Sequence, residues 1–310
     1  MNIVEVKDLS KLFKKSDTSV YAVHHVNLTI REGEIMGLVG ESGCGKSTFG
    51  KLLLKLLQPT GGEIWFDGNN ITDYSFRKMK TVRKDMQVVF QGNANAFNPY
   101  HTVRQILSEP LDNFTRLPAA EKEKNMIQML KEVDLGSEYL NRYSGELSGG
   151  QRQRVGIARA LIINPRFVVC DEAVSSVDYV LRKQILKILY RLKEEKGFTY
   201  LFISHDMTAV RAICDRIAVM YLGNMVEILP DGGAEARHPY TKALMTAALS
   251  MNPEEKRSKE QLFREDGDFS CPKQGCVFQK RCLYAAERCR KETPKFQELN
   301  DGHFVACHLF

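Results

Sequence analysis

No apolar run in the chain approaches the ~20 residues that cross a bilayer as a helix, so no membrane-spanning helix is expected. The first ten residues mix charges and contain no apolar leader-like stretch, and the protein is expected to be cytosolic. An extended heptad run is also missing, which argues against a long coiled coil. Charge of one sign does not dominate. Against 44 Lys and Arg stand 38 Asp and Glu, and the net charge of +6 is spread along the chain. A dedicated nucleic-acid surface needs a basic patch or stripe and is not expected. An anionic ligand or an anionic membrane face is compatible with this charge. Although there are eight cysteines, none are paired at the C-x2-C spacing of most zinc knuckles. What remains is ordinary for a globular protein, with 43% hydrophobic and 26% charged residues. A length of 310 residues suffices for two domains, or one domain with an appendage.

The most informative stretch is Gly40-Glu41-Ser42-Gly43-Cys44-Gly45-Lys46-Ser47-Thr48. It fits G-x-x-x-x-G-K-[ST], a loop whose backbone N–H groups cradle phosphates. The apolar run Ile35 to Val39 before it reads as a buried parallel strand. A helical pattern follows, with Phe49, Leu52, Leu53, Leu56 and Leu57 on one side. Glycines let the amides turn inward, and the helix N-terminus adds partial positive charge. Lys46 supplies a full charge to the β- and γ-phosphates, and Ser47 is placed to ligate Mg²⁺. Nucleotide binding is therefore expected.

Around this loop, residues 3–6 and 20–30 read as short strands with a polar link between them. Phe13 or, alternatively, Tyr21 is available to stack on a flat base. Residues 61–68 read as turn, strand, turn. The strand Met86 to Phe90 ends at Gln91, at the sheet edge where ligands bind, and Gln91 is a candidate for ligating Mg²⁺ or holding a water. From about residue 92 strand signals vanish, and residues 102–115 and 119–133 read as helices punctuated by Pro110 and Pro118. Leu147-Ser148-Gly149-Gly150-Gln151 then opens a helix, giving a second N-terminus suited to an anion or, more simply, a capped helix start. The strand Phe167 to Cys170 delivers Asp171 and Glu172. One carboxylate to hold a metal shell and one to orient or deprotonate water is what a Mg-nucleotide hydrolase needs. Ser175 to Asp178 leads into a further helix. The strand Thr199 to Ile203 brings His205 to the same sheet edge as Gln91, Asp171 and Glu172. Two last strands, 217–221 and 225–229, are joined by Gly223-Asn224.

Together the phosphate loop, Gln91, Leu147 to Gln151, Asp171-Glu172, Asp178 and His205 resemble the nucleotide-binding subunit of an ABC transporter, over residues 1 to about 230. The resemblance implies an α/β fold. Its core would pair a RecA-like sheet with an antiparallel β subdomain over residues 1–235, with a helical subdomain at about 92–150. It also implies that two such subunits pair head to tail, each ATP clamped between the phosphate loop of one and Ser148-Gly149-Gly150 of the other. By the same resemblance Lys46 and the loop amides hold phosphates. Ser47 and Gln91 ligate Mg²⁺, Asp171 holds the metal shell and Glu172 is the general base. His205 contacts the γ-phosphate, Asp178 lies at the dimer seam, and Phe13 or Tyr21 stacks on adenine. Two positions depart from the family pattern: Ala173 stands where proline is usual, and Gly92 where an acidic residue and proline are common. Neither removes a reacting group, so a competent ATPase is expected.

His238-Pro239-Tyr240-Thr241 and the following helix resemble the C-terminal extension of oligopeptide and dipeptide importer ATPases, which nickel and some oligosaccharide importers share. This implies a small cysteine-containing extension over residues 236–310. It also implies a location at the cytoplasmic face of the cell membrane. The implied partners are a second ATPase subunit, making a heterodimer, two membrane permeases and an external solute-binding protein. A soluble, non-transport ABC ATPase is the alternative of a different class. The phrases Gly275-Cys276, Arg281-Cys282, Glu287-Arg288-Cys289 and Ala306-Cys307-His308 also resemble that extension. The resemblance implies a [4Fe–4S] cluster on Cys276, Cys282, Cys289 and Cys307, with Cys271 spare. Zinc or plain structural thiols are the alternatives.

Overall fold

The computed structural model describes residues 1–15, 18–90, 97–175, 177–249, 271–272 and 274–310. In chain order its strands are β1 (Asn2–Lys15), β2 (Thr18–Arg31), β3 (Ile35–Val39), β4 (Gly61–Phe66), β5 (Asn69–Asn70) and β6 (Met86–Val89). They continue with β7 (Phe167–Asp171), β8 (Thr199–Ile203), β9 (Arg216–Tyr221), β10 (Asn224–Leu229), β11 (Gln297–Asn300) and β12 (His303–Val305). The chain forms two compact units, one of residues 1–3, 31–35 and 73–203, the other of residues 4–30, 36–72 and 204–310.

In the first unit β6, β7 and β8 run parallel, with β7 central and Asp171 opposite Ile203 at its end. Every residue of β7 and β8 is buried. Strands covered on both faces carry such unbroken apolar runs, and their carboxyl ends are where polar residues re-emerge. The helical insertion is formed by Val103–Phe114 and Ala119–Glu132, the second burying Met126, Met129 and Leu130 as its spacing requires. Thr102 and Gln105 close a capping box on the first of these helices. Pro110 does not interrupt that helix; it lies inside it, beside buried Ile106, Leu107 and Leu111. Burial of that face offsets the one backbone bond a proline removes. Pro118 stands at the N-cap of the next helix, a position compatible with its fixed φ.

In the second unit β3 is buried throughout and lies parallel to β9, Met36 opposite Arg216 and Val39 opposite Val219. From β9 the sheet continues antiparallel through β10 and β12 to β11. A separate antiparallel sheet has the order β2-β1-β4-β5. Its first two strands are longer than the short segments read from the sequence. Asp8 has φ 53°, and the β1–β4 register shifts between Lys7 and Ser10. A bulge there breaks the two-residue alternation that marks a strand, so the sequence pattern stops while the strand continues.

Candidate functional site

The phosphate loop follows directly from β3. The helix it feeds, Lys46–Leu53, begins at Gly45, whose φ is 111°. A Cβ on Gly45 would lie 1.9 Å from the carbonyl oxygen of Ala22 in β2, so this turn accepts only glycine. Lys46 is 5% exposed, and its Nζ donates to the carbonyls of Gly40 and Glu41, both at 2.8 Å. Its charge is thus held within the loop. Cys44 is buried beside it, and burial pushes its thiol up despite the lysine. Ser42 and Gly43 are exposed, Thr48 is half-buried, and Ser47, also half-buried, sits in the first turn of the helix. On the strand side, the Ser204 N–H donates to the carbonyl of Leu38, 3.1 Å away and two residues before Gly40. Exposed His205 follows Ser204, so the fold brings it beside the strand end that opens the loop. Phe13 and Tyr21 are 44% and 45% exposed. The Lys11 ammonium lies over Phe13, 5.3 Å from its ring centroid, and Tyr21 meets His24 at 4.5 Å between centroids.

The other candidates belong to the first unit. Asp171 closes β7 at 7% exposure. Glu172 follows in a left-handed conformation, φ 49°, with its N–H donating to Ile203 O at 3.0 Å and its carbonyl accepting from Ser175 Oγ at 3.0 Å. That turn follows the end of the strand at Asp171, and Glu172 is half-buried. Ala173, where proline is usual in the resembling family, is 1% exposed.

Ser148 caps the helix Gly149–Leu161: Gln151 N–H donates to Ser148 Oγ at 3.3 Å, and Ser148 N–H donates to Gln151 Oε1 at 2.9 Å. Gln151 also donates to the Tyr139 hydroxyl at 2.9 Å. Gly149 has open space where a side chain would stand, whereas a Cβ on Gly150 would come within 2.1 Å of Leu181 Cδ2. The structure shows the capped helix start, with Ser148 and Gly149 exposed and Gly150 buried against Leu181. Exposed Asp178 caps the helix Tyr179–Lys196, accepting from Leu181 N–H at 2.9 Å. Gln91 lies outside the described residues.

The C-terminal segment adds groups that sequence reasoning did not assign. Fully buried Glu227 in β10 accepts from the backbone N–H of Arg237 at 2.6 Å and of His238 at 3.1 Å, and its Oε1 lies 2.8 Å from His303 Nε2 in β12. Burial lowers the His238 imidazole to about 3, so it is neutral, and its Nδ1 accepts from Tyr240 N–H at 3.1 Å. Cys276, Cys282, Cys289 and Cys307 line one cavity of about 60 Å³, while Cys271 lines another. Among the described residues, however, no group of three or more His, Cys, Asp or Glu is placed to hold a metal ion. The expected [4Fe–4S] or zinc centre is thus not found as a formed ligand set. Burial pushes the Cys276 thiol up to about 12.

Comparison with known proteins gives the same order of features. The ABC transporter family model matches residues 23–175, and the oligopeptide/dipeptide transporter C-terminal region matches residues 231–289. Two proteins of Bacillus subtilis strain 168 are similar along almost all of their length. YkfD is 42% identical over 316 residues, 99% of this chain and 95% of its own. The oligopeptide transport ATP-binding protein AppF is 41% identical over 322 residues, 99% of this chain and 97% of its own. The ATP-binding cassette MJ0796, solved as a dimer bound to ADP and Pi, superposes with a TM-score of 0.67 at 32% identity. That match covers 72% of this chain and 96% of the cassette. The chain belongs to the ABC transporter family, with an α/β ATPase core and a C-terminal region of the oligopeptide/dipeptide transporter type.

Proposed function

We infer that this chain is the ATP-hydrolysing subunit of an ABC importer and that the imported solutes are oligopeptides or dipeptides. The observation that carries this is the coexistence in one chain of an ATPase cassette and an oligopeptide/dipeptide transporter C-terminal region. In this reading residues 1–235 are the ATPase domain and 236–310 the extension. Lys46 and the loop amides bind the phosphates, and Phe13 or Tyr21 stacks on adenine. Oxygen donors suit Mg²⁺, and Ser47, Gln91 and Asp171 are the residues assigned to it. Bound there, the ion neutralises charge on the β- and γ-phosphates. Glu172 takes the proton of the attacking water, and His205 steadies the γ-phosphate. Ser148-Gly149-Gly150 close on the nucleotide of a partner cassette, with Asp178 at the seam. MJ0796, a relative at 32% identity, is a dimer, which supports pairing. Pairing with a different ATPase, two permeases and an external binding protein, at the cytoplasmic face of the membrane, completes the proposal. Among the described residues no helix is long and apolar enough to cross a membrane.

Purification of the tagged chain from its native membranes in mild detergent tests this. Two permeases, a second ATPase and a binding protein are expected to accompany it, and peptides are expected to stimulate its ATPase activity. Recovery alone, or on ribosomes or DNA, overturns the transport reading; stimulation by nickel or an oligosaccharide instead of peptide overturns the solute.

The finer metal reading belongs to the same proposal. Cys276, Cys282, Cys289 and Cys307 share a cavity lining and offer the four-thiolate donor set of a [4Fe–4S] cluster, with Cys271 apart. Anaerobically purified protein is expected to be brown and to contain about four iron and four sulfide per chain. Colourless, iron-free protein overturns the cluster, and one bound zinc would replace it.

A further inference from the structure

One residue of the phosphate loop is held from outside the loop by two groups of the C-terminal segment. Arg281 is 4% exposed, and its Nη1 donates to both carboxylate oxygens of Glu41, at 3.0 and 2.9 Å. The backbone N–H of the same Glu41 donates to the Tyr240 hydroxyl at 2.8 Å. Its carbonyl accepts from Lys46, the phosphate-binding lysine. Both outside partners are anchored. Tyr240 is 1% exposed, with ring centroids 4.7 Å from Tyr221 and 5.5 Å from Phe278. The Arg281 guanidinium lies 5.9 Å from the Tyr221 centroid and 5.8 Å from that of Phe278. Its own turn is fixed by Arg281 N–H and Cys282 N–H, both donating to Phe278 O at 3.1 and 3.0 Å. Cys276 N–H, at the start of the turn, donates to Cys289 O at 2.7 Å.

The charge balance gives this arrangement a purpose. A carboxylate in a loop that binds a polyanion repels the ligand. Glu41 side chain is 37% exposed, so solvent screens part of this. Arg281 neutralises the rest and holds the carboxylate at a fixed place, while Tyr240 fixes the backbone of the same residue. We propose that Arg281 is a positioning residue for ATP binding, acting through Glu41, and that with Tyr240 it couples the phosphate loop to the cysteine-bearing turn between Cys276 and Cys282. This inference rests on the reading of the loop as an ATP site.

The test uses the assembled transporter and separates affinity from turnover. Arg281→Gln leaves Glu41 uncompensated and is expected to raise KM for ATP about tenfold, with kcat within twofold. Arg281→Lys, which keeps the charge, is expected to recover most of that loss. The double variant Arg281→Gln, Glu41→Gln is expected to return KM to within about threefold of wild type, because the repelling charge is gone. Tyr240→Phe keeps the buried ring and removes only the hydroxyl. It is expected to raise KM about threefold, and it reports on the coupling even if Arg281→Gln fails to fold. An unchanged KM in Tyr240→Phe together with an unchanged KM in Arg281→Gln, or no relief in the double variant, overturns the inference alone. Failure of the wild-type complex to bind ATP overturns the ATP-site reading and the inference with it.

Discussion

Glu172→Gln is expected to bind ATP with near-normal affinity and to turn it over about 10²–10⁴-fold more slowly, the range associated with loss of a general base. The amide is close in shape to the carboxylate and can still accept a hydrogen bond from water, but it cannot take the proton that water must lose. The substitution changes neither Lys46 nor the loop amides, the groups proposed to hold phosphate. Glu172 stands in a left-handed turn that leaves the strand at Asp171, and both its backbone N–H and its carbonyl are hydrogen-bonded. Backbone strain retained at such a position is a mark of functional sites. Asp171→Asn serves as a contrast: the metal-shell reading gives loss of Mg²⁺ dependence together with turnover. Phosphate release and binding of a fluorescent ATP analogue, measured on the same preparations, separate the two effects. Near-normal hydrolysis by Glu172→Gln would remove the base assignment while leaving nucleotide binding intact.

The strands that lead to the candidate site are legible in the sequence because their signals are local. Buried parallel strands carry unbroken apolar runs, and β3, β7 and β8 were each visible with the polar residue that follows. The capping box at Ser148 and Gln151 is likewise readable from a three-residue spacing. Legibility failed where the determinant is a distant partner. Strand β1 was cut short because the bulge at Asp8 interrupts the alternation, although its pairing with β4 continues on both sides. Strands β11 and β12 gave no pattern of their own: β12 has three residues and is fixed by pairing with β10 and by the His303–Glu227 contact. His238 to Thr241 stood out only by resemblance. Its physical reason is tertiary, with a neutral histidine accepting from Tyr240 N–H and a tyrosine hydroxyl reaching back across 199 residues to Glu41. The Glu41–Arg281 pair spans 240 residues and had no local signature beyond an arginine next to a cysteine.

Gly45→Ala is the substitution with the largest expected structural effect, and Gly43→Ala is its internal control. Both glycines have positive φ, 111° and 80°, so alanine at either pays the left-handed penalty of about 1–2 kcal/mol. They differ in what a Cβ would meet. At Gly43 nothing lies within 4 Å, and the strain is the whole cost. At Gly45 the Cβ would stand 1.9 Å from Ala22 O and 3.2 Å from Met220 Cε. The first of these atoms is backbone, part of β2, and cannot swing aside as a side-chain tip can. Relief must come from moving the loop or the start of the helix Lys46–Leu53, which carries Lys46 and Ser47. Displacement of about 1 Å in a positioned site costs on the order of 10²-fold. Gly43→Ala is therefore expected to lose about 1–2 kcal/mol of stability, the cost of backbone strain alone. Gly45→Ala is expected to lose more than about 3 kcal/mol and at least ~10²-fold in ATP affinity. Denaturant unfolding and ATP titration of the two variants decide the point. Equal losses in both would mean that backbone conformation alone demands glycine, and that the close approach of the loop to β2 does not shape the phosphate site.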